Sequence, residues 1–189
     1  MQPIIKTNAW YTLVSAKSEL VNVSWCKQQL TRILRNSNDT IVLFDASGNY
    51  TSIVLDHDRI VSGKIPMMVE QYKSVSENFV HTHTIKVDVD DSQTPRLLVI
   101  DVSRVMAASW KKGVAAITGN LKASVMRKQQ TEPVWLFLNI DPYSSEPTDG
   151  ENWKNLESVL KDKELRLKPV FFTRNKSERE INERLHIEA

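Results

Sequence analysis

The stretch Leu97-Leu98-Val99-Ile100-Asp101-Val102 decides the fold, because it is apolar at consecutive positions and leads into a long helical pattern. Two later stretches repeat the arrangement. Val134-Trp135-Leu136-Phe137-Leu138-Asn139-Ile140 precedes one amphipathic segment, and Lys168-Pro169-Val170-Phe171-Phe172-Thr173 precedes another. A strand that is apolar at both odd and even positions buries both faces, which is the condition of a parallel strand covered by helices on each side. Sheets of this kind hold ligands outside the carboxyl ends of their strands. The pattern therefore says where a site would lie and leaves its chemistry open.

Working outward, residues 105 to 128 place Met106, Trp110, Val114, Ile117, Leu121 and Val125 at spacings of three and four, an amphipathic helix that spans Gly113 and Gly119. Pro142 to Gly150 reads as a loop. Thr148 with Glu151 and Ser177 with Glu180 form capping boxes for helices carrying Trp153, Leu156 and Leu160, and Ile181 and Leu185. Toward the N-terminus, Cys26, Leu30, Ile33 and Leu34 predict a helix over 18–35, stopped by Asn36-Ser37-Asn38-Asp39. Thr40 to Asp45 reads as a strand, Ala46-Ser47-Gly48-Asn49 as a tight turn, and Tyr50 to Leu55 as the returning strand of a hairpin. Met68, Tyr72 and Val75 predict a helix over 66–78. His81 to Asp90 alternates as a half-wet strand that turns back antiparallel onto Arg96 to Ser103. The expected architecture is one three-layer α/β domain over 1–189. Its mixed sheet has an N-terminal antiparallel hairpin and a C-terminal parallel βαβαβα portion.

Composition narrows the classes. Of 189 residues, 41% are hydrophobic and 25% charged, the balance of an ordinary globular chain. Lys and Arg number 25 against 23 Asp and Glu, and a net charge of +2 argues against a non-specific nucleic-acid coat. Only 5 glycines are present, and no glycine-rich phosphate loop, nucleophile elbow or His-Glu-x-x-His string occurs. The single Cys26 excludes an intramolecular disulfide and a cysteine zinc cluster, and its expected role is that of a small buried side chain. With no signal-peptide pattern and no membrane-length apolar run, the expected location is cytoplasmic.

The strand ends carry the candidate site. Asp101 and Ser103, Asn139 and Asp141, and Thr173, Arg174 and Asn175 close the three apolar strands. Carboxylates and a hydroxyl are hard-oxygen ligands suited to Mg²⁺ or Mn²⁺, with Asp101, Ser103 and Asp141 as the metal set, and Arg174 suits a phosphate. The same residue types also cap helices and form turns at such junctions. His81 and His83 at i and i+2 share one strand face, as a transition-metal pair or as solvated side chains; His57 is a conceivable partner. Arg104, Lys111 and Lys122 project from one stripe of the long helix, with Arg127 and Lys128 at its end. That stripe reads either as a phosphate-backbone contact or as a solvated face. Trp10 is the aromatic residue best placed to anchor an interface.

Two resemblances touch these residues. Leu98-Val99-Ile100-Asp101-Val102-Ser103 before a helix resembles the start of von Willebrand A domains, whose Asp-x-Ser-x-Ser string implies a metal on Asp101 and Ser103; Val105 stands at the third ligand position. The order helix, three strands, helix, strand over 18–140 resembles the PD-(D/E)xK nuclease core. That likeness implies Asp88 or Asp90 as the upstream acid, Asp101-Val102-Ser103 in place of acidic-x-Lys, and Lys111 or Lys112 orienting the attacking water. Two functions follow as expectations. The first is a non-enzymatic interaction or accessory domain binding a macromolecular partner, a protein or a nucleic acid. The alternative is a divergent metal-dependent phosphodiesterase or nuclease using Asp88, Asp101 and Lys111.

Overall fold

The computed structural model describes residues 2–7, 11–55, 65–75, 78–88, 95–106, 119, 133–139, 158–162 and 165–174. Their elements run in the order β1 (Ile4–Thr7), β2 (Thr12–Ala16), α1 (Glu19–Asn36), β3 (Thr40–Asp45), α2 (Asn49–Leu55), β4 (Met67–Val75), β5 (Asn78–Val87), β6 (Leu97–Asp101), α3 (Ser103–Met106), β7 (Val134–Asn139) and β8 (Leu167–Arg174). All eight strands join one sheet ordered β1-β2-β8-β7-β3-β6-β4-β5. The six inner strands are parallel, and β1 and β5 close the two edges antiparallel. The mixed α/β sheet expected from the double-sided apolar strands is thus present.

Alternation within each strand sorts two cores. Ile41, Leu43, Leu97, Val99, Phe137, Val170 and Phe172 face α1 and α2, whose Cys26, Leu30, Leu34 and Tyr50 pack on them. Val42, Phe44, Leu98, Ile100, Leu136, Leu138 and Phe171 face the other way, against Val105 of α3 and Leu160. These are the three layers. Phe172 is the hub of the first core, with Tyr50, Phe137 and Trp25 rings centred 5.2, 5.9 and 6.0 Å away. Such ring pairs contribute about 0.5–1.5 kcal/mol each beyond area burial.

The chain travels from β2 to β3 to β4 in one direction across the sheet with α1 and α2 on one face. From β6 to β7 to β8 it travels back, with Val105 and Leu160 on the opposite face. Reversing direction and face together keeps one crossover hand throughout, as twisted parallel strands require. The adjacent strands β3 and β6 therefore send their following helices to opposite faces. That is the topological switch point at which open α/β sheets form a crevice.

Three sequence expectations need correction. The hairpin expected over 40–55 is absent: β3 has parallel partners on both sides, Asn49–Leu55 is helical, and the N-terminal antiparallel pair is β1 with β2. Tyr, Thr, Ile and Val favour strands only weakly, and packing of Tyr50 against Phe172 decides otherwise. Residues 66–78 hold strand β4 in place of a helix, because Met67 and Val69 enter one core while Met68 packs on the other. Finally, β5 pairs with β4 and not with β6, which inserts between β4 and β3. The helix expected over 105–128 is described at its start, Ser103–Met106, and at Gly119, which is helical. Both capping boxes and the loop 142–150 lie outside the described residues.

Candidate functional site

Three polar residues end inner strands in register, Asp101 opposite Asp45 and Asp45 opposite Asn139, and Gln71, midway along the longer β4, stands opposite Asp101. Each continues the alternation of Val69, Val99, Leu43 and Phe137, so all four lie on the α1 side of the sheet. Neighbouring strands are about 4.8 Å apart. The row therefore spans four strands and straddles the switch point between β3 and β6.

Two copies of one device form its centre. Asp45 ends β3 and its Oδ1 accepts from Ser47 N (3.0 Å), Ser47 Oγ (3.1 Å) and Gly48 N (2.9 Å). Its Oδ2 accepts from Thr51 N at 2.6 Å and Thr51 Oγ1 at 2.8 Å. Asp101 ends β6, and its Oδ1 accepts from Ser103 N (3.0 Å) and Ser103 Oγ (2.6 Å), while Gln71 Nε2 donates to Oδ2 at 3.2 Å. Both are Asp-x-Ser turns in which a strand-terminal carboxylate binds the backbone and hydroxyl two residues on. Gly48, at φ +82°, provides the left-handed step, and a Cβ there would meet Ser103 Oγ at 3.5 Å, so the two turns pack against each other. Asn139 Nδ2 ties the row together, donating to Ser47 Oγ at 3.0 Å and, at 3.4 Å each, to Asp45 Oδ1 and to Glu19 Oε1 at the start of α1.

This geometry defines what the row can do. In phosphate-binding strand–helix turns, backbone N–H groups at the helix start face the anion. Here Asp45 occupies that position: the amides of Ser47, Gly48 and Thr51 all point at its carboxylate, which is wholly buried. Asp101 is 8% exposed, and its two oxygens accept from Ser103 and Gln71. Among the described residues, no group of three His, Cys, Asp or Glu side chains stands close enough to hold a metal ion.

Asp101, Ser103 and Asn139 fall at the strand ends where the sequence places them. Gln71, inside the helix expected over 66–78, and Asp45, read as the end of a hairpin strand, are the members that reading missed. The signal for Asp45 was the repeated string, Asp45-Ala46-Ser47 and Asp101-Val102-Ser103, each after an apolar strand. Asp88 is not brought to the row. It follows Val87, which pairs with Met67 at the amino end of β4, on the order of 20 Å from Asp101 by strand rise and spacing. The Asp88–Asp101 pair implied by the PD-(D/E)xK likeness is therefore not assembled, because β4 separates β5 from β6. Arg104 is exposed on α3, and Arg174 ends β8, opposite Ala16. Lys111, Lys112, Lys122, Arg127, Lys128, Asp141, Asn175, Asp90, His57 and Trp10 lie outside the described residues.

His81 and His83 do not share a face. A bulge at Thr82 sets His81 opposite Tyr72 and His83 opposite Gln71, adjacent residues of β4 that point to opposite sides. Thr82 Oγ1 donates to the Gln71 carbonyl at 3.0 Å, and His81 Nε2 lies 2.7 Å from Thr84 Oγ1. One inserted residue flips the pattern, which removes the two-histidine chelate. Cys26 is buried, as expected. Burial first, then the negative charge of Asp45, push its thiol well above the usual range.

A second feature lies at the sheet edge. Ile5 of β1 and Leu20, Val21, Ser24, Trp25 and Gln28 of α1 line a groove of about 400 Å³, completed by Gln2 and Pro3. Leu20 is 74% exposed and Ile5 48%, so the groove presents aliphatic surface to solvent. Among the described residues, no helix is long and apolar enough to cross a membrane. No protein-family model, curated protein or solved structure matches this chain.

Proposed function

We propose that this chain is a non-enzymatic interaction domain that docks a protein partner in the groove between β1 and α1. The observation that carries the reading is the exposed aliphatic pair Leu20 and Ile5 flanking Trp25 in a concave site. A concave site in which apolar and aromatic side chains stand among polar ones, here Gln2, Ser24 and Gln28, is the form of an interface anchor. Docking works by side-chain insertion. Strand addition is disfavoured at β1, which is four residues long, follows Pro3 and carries Lys6, all devices that blunt a sheet edge. The strand-end carboxylates support the reading indirectly, since their oxygens accept from the chain's own groups, Ser47, Gly48 and Thr51 for Asp45 and Ser103 and Gln71 for Asp101. One cysteine, and that one buried, suits the reducing cytoplasm in which we place the chain.

Proximity labelling in cells, with wild type and the Leu20→Asp and Ile5→Asp variants, tests this. A protein recovered by wild type, lost with both variants and rebound from purified components supports the docking site. Identical recovery by all three chains, at matched melting temperatures, overturns it.

The register of Asp101 with Asp45 at the switch point favours a second reading, a metal-dependent phosphodiesterase with nucleic acid held by Arg104. A saturable rise in melting temperature with Mg²⁺ or Mn²⁺, absent in Asp101→Asn, would establish the cation site by mass action. No shift at millimolar metal removes this reading.

A further inference from the structure

The groove is uncharged along its lining, yet the helix that forms one wall is not. At 100° per residue, Leu20, Val21, Ser24, Trp25 and Gln28 form one stripe of α1, opposite the buried stripe of Asn22, Cys26, Leu30 and Ile33. Carried on toward the C-terminus, the same stripe reaches Arg32 and Arg35, both exposed. The only acid of α1 is Glu19, at its first turn, where Oε1 accepts from Asn139 Nδ2. The ridge is therefore apolar at its start and cationic at its end, with no carboxylate beside the arginines on the helix. A helix dipole favours a cation in the last turn, which accounts for Arg35 and leaves Arg32 unexplained.

We propose that the occupant of the groove is an acidic segment of a protein partner. It seats an apolar side chain among Ile5, Leu20 and Trp25 and lays carboxylates along Arg32 and Arg35. This rests on the docking reading above and adds the partner's chemistry. Planar guanidinium groups match carboxylates in two-point contacts. Aliphatic surface at the start of the ridge suits a peptide better than the stacked bases of a nucleic acid, which call for exposed aromatics. From Leu20 to Arg35 the helix rises about 22 Å, the reach of roughly seven extended residues.

The test is selection of a random dodecapeptide phage library on the immobilised full chain, in parallel on Leu20→Asp and on the double variant Arg32→Glu/Arg35→Glu. Enriched peptides are then resynthesised and titrated by fluorescence anisotropy. The expected result is peptides with an apolar anchor beside Asp or Glu. Their affinity should fall on the order of tenfold in the double variant, as two exposed ion pairs allow, and be lost in Leu20→Asp. Neutral or basic peptides that need Leu20 but not the arginines would overturn the acidic partner and leave the docking site standing. Failure to enrich any Leu20-dependent peptide would overturn both. Fluorescein-labelled oligo-dT bound through Arg32 and Arg35 would overturn the proposal in favour of a nucleic-acid contact.

Discussion

Replacing Asp45 by Asn should destabilise the chain far more than the same change at Asp101, although both residues end adjacent strands in the same kind of turn. At Asp45 all contacts on Oδ1 come from donors, as do both on Oδ2. An asparagine can keep its oxygen toward Ser47 and Gly48, but its amide nitrogen then faces Thr51 N, at the 2.6 Å separation now held by an accepting oxygen. The Thr51 hydroxyl can rotate to accept; the backbone amide cannot. One hydrogen bond to a charged group is lost, at about 1.5–3 kcal/mol, and a buried N–H is left opposed to another donor. The total is about 3 kcal/mol, which for a chain of this size lowers the melting temperature by roughly 6–12 °C. At Asp101 the asparagine oxygen stays on Ser103 N, its amide turns to Gln71, and the Gln71 amide flips to accept. The cost there is about 1 kcal/mol or less. Urea unfolding with unchanged m-values measures both. A cost under about 1 kcal/mol for Asp45→Asn, or equal destabilisation of the two variants, would show that the Thr51 amide is not held by the carboxylate's charge.

The Cys26 thiol is held above the ordinary range by burial and by the charge of Asp45, so it ionises first in the unfolded chain. Its stabilising contribution is complete below about pH 8.5 and is lost above it, at up to about 1.4 kcal/mol per pH unit. The stability advantage of wild type over Cys26→Ala should therefore shrink between pH 8.5 and 10 in urea melts, and a constant difference would count against this. Arg96 reaches from the start of β6 to the end of α1, where Nη1 donates to the Leu34 carbonyl at 3.2 Å and Nη2 to that of Ser37. Arg96→Lys cannot span both carbonyls and should cost about 1–2 kcal/mol. Amide exchange at residues 35–39 should rise with it, and unchanged exchange would show that the clamp is dispensable.

Much of this architecture is legible in residue order. The runs at 97–102, 134–140 and 168–173 are apolar at consecutive positions, which only a strand buried on both faces accommodates, and they are β6, β7 and β8. The helix over 18–35 follows from Cys26, Leu30, Ile33 and Leu34, all of which are buried. Asp101, Ser103 and Asn139 could be placed at strand ends because a strand's polar terminus is a local feature. By contrast, Asn49–Leu55 and Met67–Val75 each hold seven or more residues whose local preference is weak, and the sequence pattern suggests for each the other's secondary structure. Four strand-favouring residues, Tyr50, Thr51, Ile53 and Val54, lie in a helix because the ring of Tyr50 fills a space beside Phe172 and Phe137. Thr82 is invisible as a bulge in the sequence, since alternation reads the same until a partner strand shows which residue is unpaired.

The sequence by itself determined that parallel strands would be buried between helices and that polar residues would cap them, because hydrophobic period and turn chemistry are properties of a dozen consecutive residues. Only the tertiary structure decided which strands are neighbours. Such pairing depends on contacts between segments far apart in the chain, and it set Asp45 beside Asp101, put Asp88 at the other end of the strands, separated His81 from His83 by a bulge, and brought Ile5 of β1 across from Leu20 and Trp25 of α1.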